Sequence, residues 1–312
     1  MSIIASLKYK ISETDRLIRS HERAMVAYPE DALALSYSVQ ALVKQREKLV
    51  ASFENASNQI GHEVCRYRLF KDAGNPSVDA ISTVLHEFQH LVAMVFWSLK
   101  RDEPLTKSII PASIQTKTSF QFGYSYVGSV GITLTIPSEQ MLFDELSDLD
   151  ESVETVFGIA AAEDADVISE YAAKLGRPVI QSAFKWATAN VKHGVGSDIK
   201  WCRNGSIRHE MFIECQKFQR FKDAVESTGE ESVAQIKGTG TLLEAGVQPK
   251  TFKLSIDGAD DVVRGTFENA IDNEHRAEVP GRYSFVLSRT SRVSLSTGEE
   301  KVSYVLTELT PV

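Results

Sequence analysis

The sequence predicts an α+β protein: an N-terminal antiparallel helical hairpin, a central α/β domain with β-hairpins, and a C-terminal small β-barrel. Three observations carry that expectation. Residues 1–56 place apolar side chains at spacings of three, four and seven, the middle of the chain mixes helical periodicity with period-two runs, and beyond residue 229 only short alternating runs occur. The domain boundaries that follow are 1–56, 57–228 and 229–312. A chain of 312 residues is long enough to build two or three cores.

In the hairpin, Ile4, Leu7, Ile11, Ile18 and Met25 make the seam of one helix, and Leu35, Leu42 and Leu49 that of the next. Pro29 and Asp31 of "YPED" supply the stop and the cap between them. Such a hairpin either packs on its own domain or serves as an oligomerisation or partner-binding arm, because in isolation it leaves apolar surface to cover.

"EVCRYRLF" then reads as a strand, and residues 77–100 as a helix with a core stripe of Ile81, Leu85, Phe88, Val92, Val95 and Leu99. "SFQFGYSYVGSVGITLTIP" gives two alternating runs, Phe120, Phe122, Tyr124, Tyr126 and Val130, Ile132, Leu134, Ile136, around a turn at Val127-Gly128-Ser129. Residues 139–170 hold many carboxylates and no Lys or Arg. Their apolar members Leu146, Leu149, Val153, Val156 and Phe157 recur at helical spacing, so the acids form the solvated face of one or two helices. A calcium or basic-partner surface is the sharper alternative, but no D-x-D-x-D-G loop is present. A helix follows from Pro178 to Gly194, then a β-hairpin about Asn204-Gly205, then a helix and linker in "FQRFKDAVESTGEES". The last expected elements are the five strands "SVAQIKGTGTLLEAG", "TFKLSI", "VVRGTF", "GRYSFVLSR" and "KVSYVLTEL", the makings of a small closed barrel. Barrels of this size bind peptides, oligonucleotides or nothing, so the fold alone assigns no role.

Composition narrows the class. A hydrophobic fraction of 43% and a charged fraction of 24% belong to a soluble globular protein, with no secretory signal and no apolar run of membrane-spanning length, so a cytoplasmic location is expected. Cys65, Cys202 and Cys215 are few, widely spaced and without a C-x-x-C pair, which points to reduced core residues rather than a disulfide framework. A net charge of -8 disfavours broad electrostatic capture of nucleic acid.

Two stretches carry candidate chemistry. "VLHEFQHLV" matches the zinc-peptidase pattern H-E-x-x-H, in which His86 and His90, one helical turn apart, would meet one zinc ion while Glu87 acts as general base. The extended form with a third histidine is absent, since "LVAMVFW" follows, and nothing in the spacing of Glu151, Glu154 or Glu170 selects one of them. His62 and Cys65 together with His86 and His90 would instead make a closed structural zinc set. The second stretch is the hairpin carrying Trp201, Arg203 and Arg208, with Lys200 beside them, where cations beside an aromatic ring suit single-stranded nucleic acid as well as routine cross-strand pairing.

In "ALALSYSVQALVKQREKL", "HEVCRYRLF", "FQFGYSYVGSVGITLTIP", "AFKWATANVKHGVGSDIKW" and "GEEKVSYVL" the chain resembles a family of uncharacterised bacterial proteins with a helical hairpin, an α/β region and a five-stranded barrel. The resemblance spans most of the chain. It implies for the helix at 77–100 a Phe-Gln pair, matched by Phe88-Gln89, rather than two histidines, and it implies no reaction and no cofactor. The resulting expectation is a non-enzymatic bacterial interaction or accessory protein, with a protein partner or a second copy of itself, in stress response or phage defence. No cofactor, membrane or nucleic acid is expected. Zinc enters only with the metallopeptidase alternative, and nucleic acid only with the Trp201 hairpin or the barrel.

Overall fold

The computed structural model describes residues 2–127, 130–138, 147–203, 205–258, 262–267, 277–296 and 298–312. Gly128, Ser129, Leu146 and Asn204, named above for two turns and a helix face, lie outside the described residues. The chain divides into two compact units, residues 1–227 and 228–312.

The first unit begins with α1 (Ile3–Ala27), whose first turn is capped by the Ser2 Oγ accepting from the Ala5 N–H. One 3-10 turn at Pro29–Asp31 leads into α2 (Ala32–Gln59). There follow β1 (His62–Phe70), α3 (Val78–Leu99), α4 (Ala112–Lys117), β2 (Gln121–Val127), β3 (Val130–Pro137), α5 (Asp148–Ala161), α6 (Ala165–Leu175), α7 (Arg177–His193), β4 (Gly196–Arg203), β5 (Ser206–Ile213) and α8 (Cys215–Ser227). Ser77 caps α3, Ser147 and Asp150 form a reciprocal capping box on α5, and Gly194 ends α7 at a left-handed φ of 61° that disfavours side chains.

Five strands form one sheet in the order β2-β3-β1-β4-β5, and each neighbouring pair is antiparallel. Period-two alternation sends successive residues of β1 to different layers. Tyr67 meets Phe88 of α3 and accepts a hydrogen bond from Trp186 of α7, so helices cover one face. Val64 packs with Ile11, Val50, Phe53, Tyr124 and Cys202, so the α1–α2 hairpin covers part of the other.

Two expectations need correction. The α3 stripe is wider than a single-face pattern: Leu91, Ala93, Met94 and Phe96 are buried, while Ile81, Leu85 and Leu99 are only partly so. The reason is that α3 packs against α7 and α5 as well as against the sheet, which leaves its second half no free side. Phe120, just before β2, and Phe122, Tyr124 and Tyr126 within it do not share a face. A bulge between Phe122 and Tyr124, at Gly123, inserts one extra residue, so Phe120 stacks on Phe88 in the helical layer while Tyr124 meets Phe53 of α2 on the opposite face.

A buried polar network ties three strands and a helix together. Trp201 Nε1 and Ser138 Oγ donate to the Glu63 carboxylate, Arg203 Nη1 donates to Asp150 Oδ2 at 2.8 Å, and Arg203 Nε lies 3.8 Å from Glu63. One guanidinium thus serves two carboxylates, and the neutral donors Trp201, Ser138 and Ser147 meet Glu63, while Asp150 Oδ1 has no hydrogen-bond partner among the described residues.

The second unit is a closed barrel of β6 (Gly229–Val247), β7 (Lys250–Ile256), β8 (Val262–Phe267), β9 (Gly281–Ser294) and β10 (Glu300–Pro311), in the order β10-β8-β7-β6-β9. Residues 229–232, read as linker from the sequence, already belong to β6, which is long enough to pair with both β7 and β9. The β8–β10 pair is parallel and the other four pairs are antiparallel. That connectivity is the Greek-key arrangement of OB-type barrels. Leu242, Phe252, Leu254, Phe267, Tyr283, Phe285, Leu287 and Leu306 fill the interior. Among the described residues no helix is long and apolar enough to cross a membrane.

Arg203→Ala would leave Asp150 and Glu63 as buried unpaired charges, and its expected loss of stability is about 3–5 kcal/mol in urea denaturation. Arg16→Ala, which breaks only the exposed pair with Glu13, is expected to change stability by less than about 0.5 kcal/mol.

Candidate functional site

The candidate zinc ligands His86 and His90 both lie on α3 but in different surroundings. His86 is exposed, whereas His90 is half-buried and shares a 2.9 Å hydrogen bond through Nδ1 with Ser182 Oγ of α7. Among the described residues, no group of three or more His, Cys, Asp or Glu is placed to hold a metal ion, so His86, Glu87 and His90 meet no third ligand. Cys65 faces the helical layer opposite Trp201, fully buried, and burial pushes its thiol well above the ordinary range. It is not joined to His62, His86 and His90 in a ligand set.

The Trp201 hairpin is likewise turned inward. Trp201 is fully buried with its indole N–H on Glu63, and Arg203 belongs to the network with Asp150. Arg208 alone of the three is exposed, on β5. The three residues therefore form no common surface on which a base could stack.

The structure assembles a cavity that sequence reasoning missed. Between α2 and the sheet lies a cleft of ≈ 340 Å³ lined by Arg46, Val50, Arg66, Arg68, Tyr124, Tyr126, Asp198 and Lys200. The Gly123 bulge makes it, because it turns Tyr124 and Tyr126 onto this face. Strand register then sets two rows across the floor: Tyr124–Thr133–Arg66–Lys200 and Tyr126–Gly131–Arg68–Asp198. Gly131 is required there, since a Cβ would sit 2.2 Å from the Tyr126 ring. Each arginine has an acid: Arg46 with Asp15, Arg66 with Glu54, Arg68 with Asp198. Burial pushes the Tyr126 phenol up to about 12, helped by the nearby Asp198, so it stays a neutral donor. Burial raises Cys202 to about 11, with Arg66 opposing, so this thiol is no nucleophile. The glycine inside an aromatic strand run was the available sequence signal.

Two further surfaces stand out. From Arg19 to Leu49 no hairpin residue is buried, and Val26, Tyr28, Leu33 and Tyr37 are exposed there. On the barrel, a groove of ≈ 770 Å³ runs along β7 and β8, lined by Glu244, Thr251, Lys253, Arg264 and Thr266 among others. Lys253 is paired with Glu244 at 3.0 Å.

No family model matches the chain, and neither a curated protein nor a solved structure matches it significantly.

His90 supplies a pH test. Its pKa is lowered, by burial first, with Lys185 and His86 adding and Glu87 opposing. The unfolded chain therefore binds the proton more readily, so stability is expected to fall as pH drops below about 6.5 and to level off once the lower folded value is passed. Urea denaturation of wild type and His90→Gln at pH 7.5 and about pH 5 checks this: the variant should lose less stability between the two.

Proposed function

We propose that the protein acts by binding rather than by covalent chemistry, as an interaction or accessory protein that self-associates through the distal half of its N-terminal hairpin. The observation supporting this is the exposure of Leu33 at 70% and Tyr37 at 64% on a stretch of two helices with no buried residue. Exposed apolar clusters on a projecting element mark interaction sites.

A second copy of this chain fits the face. At 100° per residue, Leu33, Tyr37, Ala41 and Lys44 share the outward side of α2. A twofold axis through Tyr37 would run two α2 helices antiparallel, with Leu33 against Ala41 and Glu30 against Lys44. Neither Glu30 nor Lys44 has an ion-pair partner among the described residues, and self-complementarity of this kind is what an isologous interface needs.

Light scattering coupled to size exclusion tests it: wild type is expected as a dimer. Leu33→Asp/Tyr37→Asp should run as a monomer with an unchanged melting temperature. Lys44→Glu should weaken the dimer, and adding Glu30→Lys should restore it. A wild type that is monomeric at every concentration overturns the proposal.

A second reading, binding of single-stranded nucleic acid along the barrel groove, is favoured by the strand connectivity alone. Residues 228–312 carry thirteen Asp and Glu against nine Lys and Arg, and the groove's aromatic residue, Phe252, is buried in the barrel. Both features count against a stacking platform on a phosphate backbone. Fluorescence anisotropy with oligothymidylate at low salt is expected to show no saturable binding.

A further inference from the structure

We propose that the cleft between α2 and the sheet is a binding site for a small organic oxyanion with a flat body, a phosphate or carboxylate carried on an aromatic or similarly planar group. The inference is independent of hairpin self-association. Three ion pairs surround the cleft. Only Arg66–Glu54 joins the sheet to the hairpin. Arg46–Asp15 lies wholly within the hairpin, and Arg68–Asp198 wholly within the sheet. Two of the three pairs therefore do not hold the layers together; they hold guanidinium groups at the wall of a cavity.

The charges are also arranged by depth. Asp15 and Glu54 are buried in the hairpin, with side-chain exposures of 6% and 5%, and stand behind the arginines they orient. The lining itself presents Arg46, Arg66, Arg68 and Lys200 against the single carboxylate of Asp198. The guanidinium donors are not exhausted. Arg46 uses Nε on Asp15, and Arg66 uses Nε and Nη2 on one oxygen of Glu54, which leaves further N–H groups in each fork. A fork with free donors suits a phosphate or carboxylate.

The two floor rows give the cleft a polarity. In one row Arg66 and Lys200 face the cleft while their acids lie off its lining, Glu54 buried in the hairpin and the exposed Glu210 3.5 Å from Lys200. In the other row Arg68 is neutralised by Asp198, and the Tyr126 ring lies over Gly131 with the Arg46 guanidinium 5.9 Å from its centre. An oxyanion is repelled by Asp198 and belongs at Arg66 and Lys200; a flat body belongs at Tyr126 beneath Arg46, where stacking and cation–π contacts are both available. The volume of ≈ 340 Å³ admits a ligand of this size and not a polymer.

Isothermal titration calorimetry on the full chain tests the site with four probes: phenyl phosphate, benzoate, inorganic phosphate and phenol. Phenyl phosphate or benzoate is expected to bind saturably with one site per chain, and the tighter of the two tells phosphate from carboxylate. Inorganic phosphate and phenol, each carrying half of the recognition, are expected to bind at least about tenfold more weakly. Lys200→Gln, a half-exposed side chain outside the buried pairs, should weaken the better probe about tenfold without changing the melting temperature of the free protein. Tyr126→Leu should weaken phenyl phosphate while leaving inorganic phosphate unchanged. The proposal is overturned if neither aromatic probe binds at millimolar concentration, if inorganic phosphate binds as tightly as phenyl phosphate, or if Lys200→Gln binds as wild type does.

Discussion

Strand β1 has to satisfy two unlike layers at once, and the first unit is arranged around that constraint. As the middle strand of the sheet it sends Glu63, Cys65, Tyr67 and Leu69 into the helical layer and Val64, Arg66 and Arg68 toward the hairpin. The helical side can be sealed because its one charge, Glu63, is met by Trp201, Ser138, Ser147 and Arg203. The hairpin side can be sealed only around Val64. Past that residue the strand offers arginines, and burying them against an apolar helix face would leave charges without water or partners. The helix therefore stops contributing buried residues at Val50, and its Arg46 faces the sheet across a gap rather than across a core.

Much of this architecture could be read from the residues. The helical hairpin, the strand His62–Phe70, the helix behind Ser77, the Pro178 helix with its Gly194 stop and all five barrel strands follow from periodicity, capping and turn chemistry. What escaped was three-dimensional in origin. One glycine at 123 reverses the facing of every later residue in β2, which a period-two count over Phe120 to Tyr126 treats as a single run. The width of the buried surface on α3 depends on two neighbouring helices that its own sequence does not specify.

The candidate sites were legible to a smaller degree for a related reason. His86, Glu87 and His90 have the local spacing of a metal motif, yet coordination needs a third ligand brought in by the fold, and α7 brings Ser182 to His90 instead. Trp201 and Arg203 look like a binding pair on a hairpin, yet the parity of β4 turns them both to the face shared with Glu63 and Asp150. The cleft residues carried no linear pattern at all, since they come from α2, β1, β2 and β4.

The hairpin and the cleft share one mechanical element. Arg46 lies on the underside of α2, and Tyr37, nine residues earlier, on its outward face, so both ride on the same rigid helix at about 1.5 Å per residue. The buried residues of α2 begin at Val50, and the distal half is held along α1, in part through Arg46 and Asp15. A ligand with its oxyanion at Arg66 and Lys200 and its flat body beneath Arg46 would join that half to the sheet by charge-assisted hydrogen bonds and cation–π contact. Were the outer face to meet a second copy, a helix fixed in this way would lose less entropy on doing so, and by linkage the second copy would tighten the ligand by the same factor. If both proposals hold, the cleft and the outward face would be coupled through the position of one helix.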